Sequence, residues 1–396
     1  MNIFKLSLKN LLASPLRSLL TLIILSMGVA LASLLILVGG ALDDSFKKNI
    51  RGIDMVVGAK GSPLQLILSS VYQIDNPTGN IDLAEARKLA KNPQIKETIE
   101  LSYGDSYKGR RIVGTSHKYV ELYDGALSSG ELWKQPFEAV LGADVALEFD
   151  LKLEDKFYSS HGIDGMGHDH EEHPFVVVGI LEKSGSVLDK LILTAPESIW
   201  EVHGNHAESD SLESQEITAM LVKFRNKMGI MTLPRVVNQQ TSMQAALPSI
   251  EVNRLFELFG LAISTLQIVA FVIMGLGAIS VFVSMITALR DRAYEMALMR
   301  SMGASRGQIS GMIILEATLL GAAGTAIGIL LSHAGIAFLN TYANDQFGIN
   351  IAIWQLTSVE WLLVMATILL CIFAALIPAI KTASLDVSKV LSSYEN

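Results

Sequence analysis

The chain has 396 residues, half of them apolar, a formal net charge of −8 and a mean hydropathy of +0.41. That balance is too apolar for an ordinary soluble enzyme, and the acidic excess argues against a nucleic-acid binder. A single cysteine, Cys371, excludes a disulfide framework.

The first stretch, residues 1–17, mixes Phe4, Leu6, Leu8, Leu11 and Leu12 with Lys5 and Lys9. This pattern predicts a cytoplasmic helix lying in the membrane interface, with its lysines at the headgroups. Pro15 ends it. Residues 18–41 follow as an uncharged apolar run, longer than the roughly 20 residues a helix needs to cross a bilayer. The run is too long for the core of a signal peptide and is read as a retained span. Three more apolar runs occupy 261–289, 312–339 and 361–380.

Lys5, Lys9 and Arg17 precede span one, Arg290, Arg292, Arg300 and Arg306 lie between spans two and three, and Lys381 and Lys389 follow span four. The short outer loop, 340–360, has no Lys or Arg. The positive-inside rule then places both termini, the segment 290–310 and the tail 381–396 in the cytoplasm. Residues 42–258 are left outside it. They carry 22 Lys/Arg against 32 Asp/Glu and no cysteine. The sequence therefore reads as a membrane protein of four transmembrane α-helices, with a large mixed α/β extracytoplasmic domain inserted between spans one and two.

Within that domain, residues 82–92 predict a helix capped by Asp82, and 142–151 a helix after a glycine turn. Strands are predicted at 110–116, 156–160, 174–181, 190–194 and 216–225, with a helix at 196–203. Six of the eight histidines fall within 161–206. His161, His168, His170 and His173 lie on the tip between two predicted strands, and His203 and His206 begin a second loop. Imidazole with neighbouring carboxylates suits zinc or another transition metal. The glycines in the tip add an ordering cost to any such site, and composition alone supports metal binding without a function. A metalloenzyme is disfavoured, because no H-E-x-x-H arrangement is present.

From Pro248 the pattern is helical well ahead of span two, with Glu251, Arg254 and Glu257 spaced along a polar face. This predicts a stalk continuous with the span. His333, inside span three, is an intramembrane ionisable group. The lone cysteine lies in span four and reads as a small buried hydrophobe.

Between spans two and three comes "RDRAYEMALMRSMGASRGQIS". Tyr294, Leu298 and Met302 share one helical face, and Arg292 and Glu295 are spaced to pair at i, i+3. This segment, with "LEATLLGAAGTAIGILLS" at 315–332 after it, resembles the cytoplasmic signature of the FtsX-like/MacB-like ABC permease family. Residues 10–31 look like the family's first span and "PAIKTASLDVSKVL" like its closing segment, while 139–194 resembles the MacB-like periplasmic core more loosely. Ala297, Val387 and Ser392 stand where the family usually has Gly, Pro and Arg.

The resemblance implies that Arg292, Glu295, Arg300, Gly303 and Ala304 belong to the helix gripped by an ATPase. The sequence has no G-x-x-x-x-G-K-[ST] phosphate loop, so ATP is expected to act only through a separate ABC ATPase subunit. A second permease chain, identical or related, and a periplasmic client are implied partners, in a bacterial inner membrane. The expected function is a permease that transmits ATP-driven motion to its outer domain and so acts on a lipoprotein, peptide, metal complex or protein. The alternative is a non-transporting FtsX-like regulator of a periplasmic partner such as a cell-wall hydrolase.

Overall fold

The computed structural model describes residues 3–161, 173–204, 215–347 and 356–384. In chain order the elements begin with α1 (Ile3–Ala13), α2 (Pro15–Asn49), β1 (Met55–Ala59), α3 (Pro63–Ser70), β2 (Ile81–Asp82) and α4 (Leu83–Ala90). They continue with β3 (Ile95–Tyr107), β4 (Arg110–Thr115), α5 (Lys118–Leu122), β5 (Leu127–Gly130), β6 (Glu138–Leu141) and α6 (Ala143–Phe149). Next come β7 (Lys156–Phe157), β8 (Ser160–His161), β9 (Phe175–Leu181), β10 (Ile192–Thr194), α7 (Pro196–Gly204), β11 (Glu216–Ile217) and β12 (Ala219–Phe224). Last are α8 (Met228–Gln240), β13 (Met243–Ala246), α9 (Pro248–Asp291), α10 (Ala293–Ser301), α11 (Arg306–Phe347) and α12 (Ser358–Ala383).

Two units result, one of apolar helices and one built on a sheet, and α2 and α9 each contribute residues to both. In the sheet unit, strand order is β13-β1-β12-β3-β4-β10-β6-β9-β5, with β7 attached to β9 and β8 to β3. Among the described residues, only β4/β10 and β6/β9 are parallel; the other pairings are antiparallel. Period-2 alternation separates the two faces. Val56 and Leu221 enter one core with Leu66, Ile67, Tyr119 and Val120, while Met55, Val57, Met220 and Val222 enter another with Leu233 and Val237.

The outer end of α2 is built into the first of these cores. Phe46 and Ile50 pack against it, and the Phe46 ring meets Tyr72 edge-on at 4.8 Å. The last carbonyls of a helix need donors from outside it. Here the Tyr72 hydroxyl donates to the Phe46 carbonyl (3.0 Å) and the Tyr123 hydroxyl to that of Asn49 (3.2 Å). The Val187 amide donates to Asn49 Oδ1, and the Lys48 ammonium to the Ser184 carbonyl. Val252, near the start of α9, is buried in the same core.

Among the described residues, four helices are long and apolar enough to cross a membrane: α2, α9, α11 and α12. They approach closely where glycine faces a neighbour. A Cβ on Gly28 would stand 2.9 Å from the Met274 Cα, and one on Gly328 would stand 2.8 Å from the Ser26 carbonyl. Without a hydrophobic driving force between helices in lipid, such close packing is what holds them together.

Several predicted boundaries move. The strand predicted over 216–225 splits at Thr218, whose hydroxyl accepts the Tyr103 amide as the chain passes from β2 to β3 as its partner. The strand at 156–160 likewise divides into β7 and β8, which pair with different strands. Within the segment 340–360, α11 continues to Phe347 and α12 starts at Ser358 behind a Thr357 cap. Glu360, read from sequence as a loop residue, is fully buried in the first turn of α12.

Candidate functional site

The helix α9 ends at Asp291, Arg292 leaves helical geometry (φ −112°, ψ 17°), and α10 starts at Ala293. The nine residues of α10 present two faces. Met296 and Ala297 are buried, and Met296 packs with Met285, Leu289, Ile309 and Ile313 of the neighbouring helices. On the other side Tyr294, Leu298 and Met302 are exposed by 42%, 44% and 72%, and Glu295 is exposed beside them. Arg300 is half-buried.

The end of α10 is held by two interlocked caps. Gly303 donates to the Arg300 carbonyl (3.1 Å) and Ala304 to that of Met299 (3.0 Å), the two bonds of a Schellman motif. Gly303 sits at φ +103°, where a side chain would be strained. Immediately afterwards Ser305 and Gln308 form a capping box, each side chain accepting the other's amide (3.2 and 2.9 Å), and this starts α11. Two consecutive caps leave α10 little freedom relative to α11.

The expected Arg292–Glu295 pairing does not form. Instead the Arg292 guanidinium turns inward, with Nη1 3.4 Å from Glu316 Oε1 and Nη2 donating to the Asn10 carbonyl. The Asn10 amide donates to the same Glu316 oxygen (2.6 Å), and the Ser7 hydroxyl to the Met312 carbonyl (3.4 Å). The side chains of Arg292 and Glu316 are only 15% and 3% exposed. Tertiary burial decides the partner here: an inward charge demands an inward counter-charge. On the outside of the same corner, Arg17 pairs with Asp291 at 2.7 Å.

A second polar knot was signalled in sequence only by His333. Its Nε2 lies 3.0 Å from Glu360 Oε1, which also accepts the Ser33 hydroxyl at 2.8 Å. The other carboxylate oxygen accepts the Thr357 amide and hydroxyl. No periodicity marks Ser33 or Glu360 as partners of His333, because the contact joins three helices distant in sequence.

The candidate metal ligands are dispersed among elements. His161 ends β8 opposite Asp105, His173 precedes β9 with its ring stacked on Phe137 at 5.0 Å, and His203 lies in the last turn of α7. His168, His170 and His206 lie outside the described residues. Among the described residues no three potential ligands converge on a metal position.

Comparison with known proteins decides the family. The profile of the MacB-like periplasmic core domain matches residues 18–229, and that of the FtsX-like permease C-terminal domain matches 267–387. The chain belongs to the FtsX-like permeases with a MacB-like periplasmic core. Its sequence is similar to the macrolide export ATP-binding/permease protein MacB of Neisseria meningitidis serogroup A, with 22% identity over 86% of this chain and 54% of that protein. It is also similar to the uncharacterized ABC transporter permease YknZ of Bacillus subtilis, with 20% identity over 96% of each chain. The chain thus spans about half the length of the MacB relatives it matches. Among solved structures, the periplasmic region of MacB from Actinobacillus actinomycetemcomitans aligns with a TM-score of 0.34 and 13% identity, over 54% of this chain and 97% of that one.

An FtsX-like permease of this kind is a multi-pass membrane protein with an extracytoplasmic domain, here the sheet unit between α2 and α9. The matched profiles cover the membrane and periplasmic parts of that architecture.

Proposed function

We propose that this permease is a mechanical transmitter: a separate ABC ATPase docks on α10 from the cytoplasm, and α2 and α9 carry its motion to the sheet unit, which acts on a periplasmic client. The observation that carries the reading is the exposed Tyr294–Leu298–Met302 face with Glu295 beside it, on a short helix fixed at its end by two caps. An exposed apolar face on a rigid helix is a docking surface, and the positive-inside rule puts it in the cytoplasm with both termini. The lengths of α2 and α9 fit the role. Their 35 and 44 residues correspond to about 52 and 66 Å of helix, well beyond the ~30 Å hydrocarbon core.

The test uses the full chain in lipid nanodiscs with the ATPase subunit that co-purifies with it. Glu295→Lys and Arg300→Glu are each expected to weaken ATPase binding at least tenfold while leaving insertion and unfolding temperature unchanged. Binding unaltered in both variants would remove α10 as the docking site.

We further assign the histidine-rich segment to transition-metal contact, an accessory to transmission. The support is its composition and the anchoring of its two ends, at His161 on β8 and His173 before β9, in one sheet. Calorimetric titration of the full chain with zinc should show stoichiometric, sub-micromolar binding that is lost when His168, His170 and His173 become alanine. Binding indifferent to those changes would leave the segment without a metal role.

A further inference from the structure

The corner at Asp291–Arg292 gathers the cytoplasmic ends of α1, α2, α9, α10 and α11. We propose that Arg292 and Glu316 are positioning residues that convert movement of α10 into movement of α1 and α11, and that Arg292 does not touch the ATPase. The proposal rests on the function proposed above and extends it from the docking face to the struts behind it.

Three observations converge. Arg292 is the residue at which α9 gives way to α10, so its backbone moves with both. Its guanidinium spans two other elements at once, reaching the Glu316 carboxylate of α11 and the Asn10 carbonyl of α1. Asn10 closes the triangle by donating to that same carboxylate. The planar guanidinium fork makes this double reach possible, and an ammonium, a point charge on a flexible stem, does not reproduce it. The fifth helix of the corner is α2, whose Arg17 pairs with Asp291 one residue earlier.

Burial gives the knot its stiffness. A carboxylate as enclosed as Glu316 is strongly destabilising when its partner is removed, because the charge is left uncompensated, so Arg292 and Glu316 stay together as the corner moves. The exposed Arg17–Asp291 pair has no such constraint and is the more dispensable link. Removing both buried charges together is tolerated far better than removing one, and this separates folding from transmission.

The experiment therefore uses Arg292→Lys and the double variant Arg292→Met/Glu316→Leu, in the full chain in lipid nanodiscs with Cys371→Ala. The first readout needs no partner. Ser7→Cys reports the docking of α1, because residue 7 is fully buried. Its labelling by a membrane-impermeant maleimide should be slow with the native pair and at least tenfold faster in the double variant. Unchanged protection would overturn the claim that the knot holds α1. The second readout uses the co-purifying ATPase. Arg292→Lys and the double variant should keep its affinity within twofold and lose at least tenfold of the permease-dependent stimulation. Parallel loss of affinity and stimulation would make Arg292 a contact and overturn the proposal, as would full stimulation in the double variant. Absence of any co-purifying ATPase would sink the function proposed above, while the maleimide readout would still decide whether the knot exists.

Discussion

Tyr72 and Tyr123 show how single hydroxyls fix the end of a long helix. Each donates to a terminal carbonyl of α2 from inside the sheet unit's core. Changing either to Phe keeps the ring and removes one such bond, with an expected cost of about 1 kcal/mol in unfolding free energy. Burial pushes both phenols well above their ordinary value, and pushes the neighbouring Tyr103 up to about 12. The neutral form is thus favoured in the folded state. The stability it confers is complete below pH 10, the value in the unfolded chain, and is lost as pH rises from there through the raised values. Thermal unfolding followed from pH 8 to 12 should show this decline, and the double Tyr72→Phe/Tyr123→Phe variant should show a shallower one. An equally steep decline in the double variant would assign the alkaline sensitivity elsewhere. Gly303 is the complementary case, legible in sequence as a turn residue and explained in structure by a left-handed φ inside a Schellman cap.

The proposed transmission runs along α2 and α9, and it requires that both be rigid. The helix α9 runs for 44 residues from Pro248. A proline in a helix interior removes a hydrogen bond and clashes with the preceding turn, at a cost of about 3 kcal/mol. Gly260 has open space around its Cβ position, so Gly260→Pro tests stiffness with little loss of packing. The variant is expected to bind the ATPase normally and to lose ATP-dependent change in the sheet unit, read as hydrogen exchange over 42–258 with and without ATP. Normal ATP-dependent exchange in that variant would exclude α9 as a transmitting rod. Close packing, in contrast, is carried by glycines of the membrane helices. Gly28 and Gly328 stand where any Cβ would strike a neighbour's backbone, a role that an apolar run does not reveal because the partner helix is remote in sequence.

For the whole molecule, the placement of Lys and Arg gives an expected orientation. From the Lys and Arg flanking the spans, the positive-inside rule predicts the Arg-rich corner inside and the sheet unit outside. Cysteines placed at the exposed positions Lys134 and Ser301 test this. In intact spheroplasts a membrane-impermeant maleimide should label Lys134→Cys and leave Ser301→Cys unlabelled until the membrane is opened. The reverse pattern would invert the topology and remove α10 from the cytoplasm.

The sequence alone determined the spans, the inserted α/β domain and the segment that became α10, because each is written in local pattern: apolar runs, turn residues, and a face repeating every four residues. The histidine-rich segment was equally visible, since composition is local too. Tertiary structure decided the rest. The long strand β3 carries Lys96, Glu97 and Glu100 among its apolar residues, and α8 contains a proline, so neither matched a template until β12, β4 and β13 packed against them. The partner of Arg292 changed from Glu295, three residues away, to Glu316 for the same reason. Spacing proposes a neighbour on one helix, but an enclosed charge is satisfied by whichever counter-charge the packing of separate helices brings within reach.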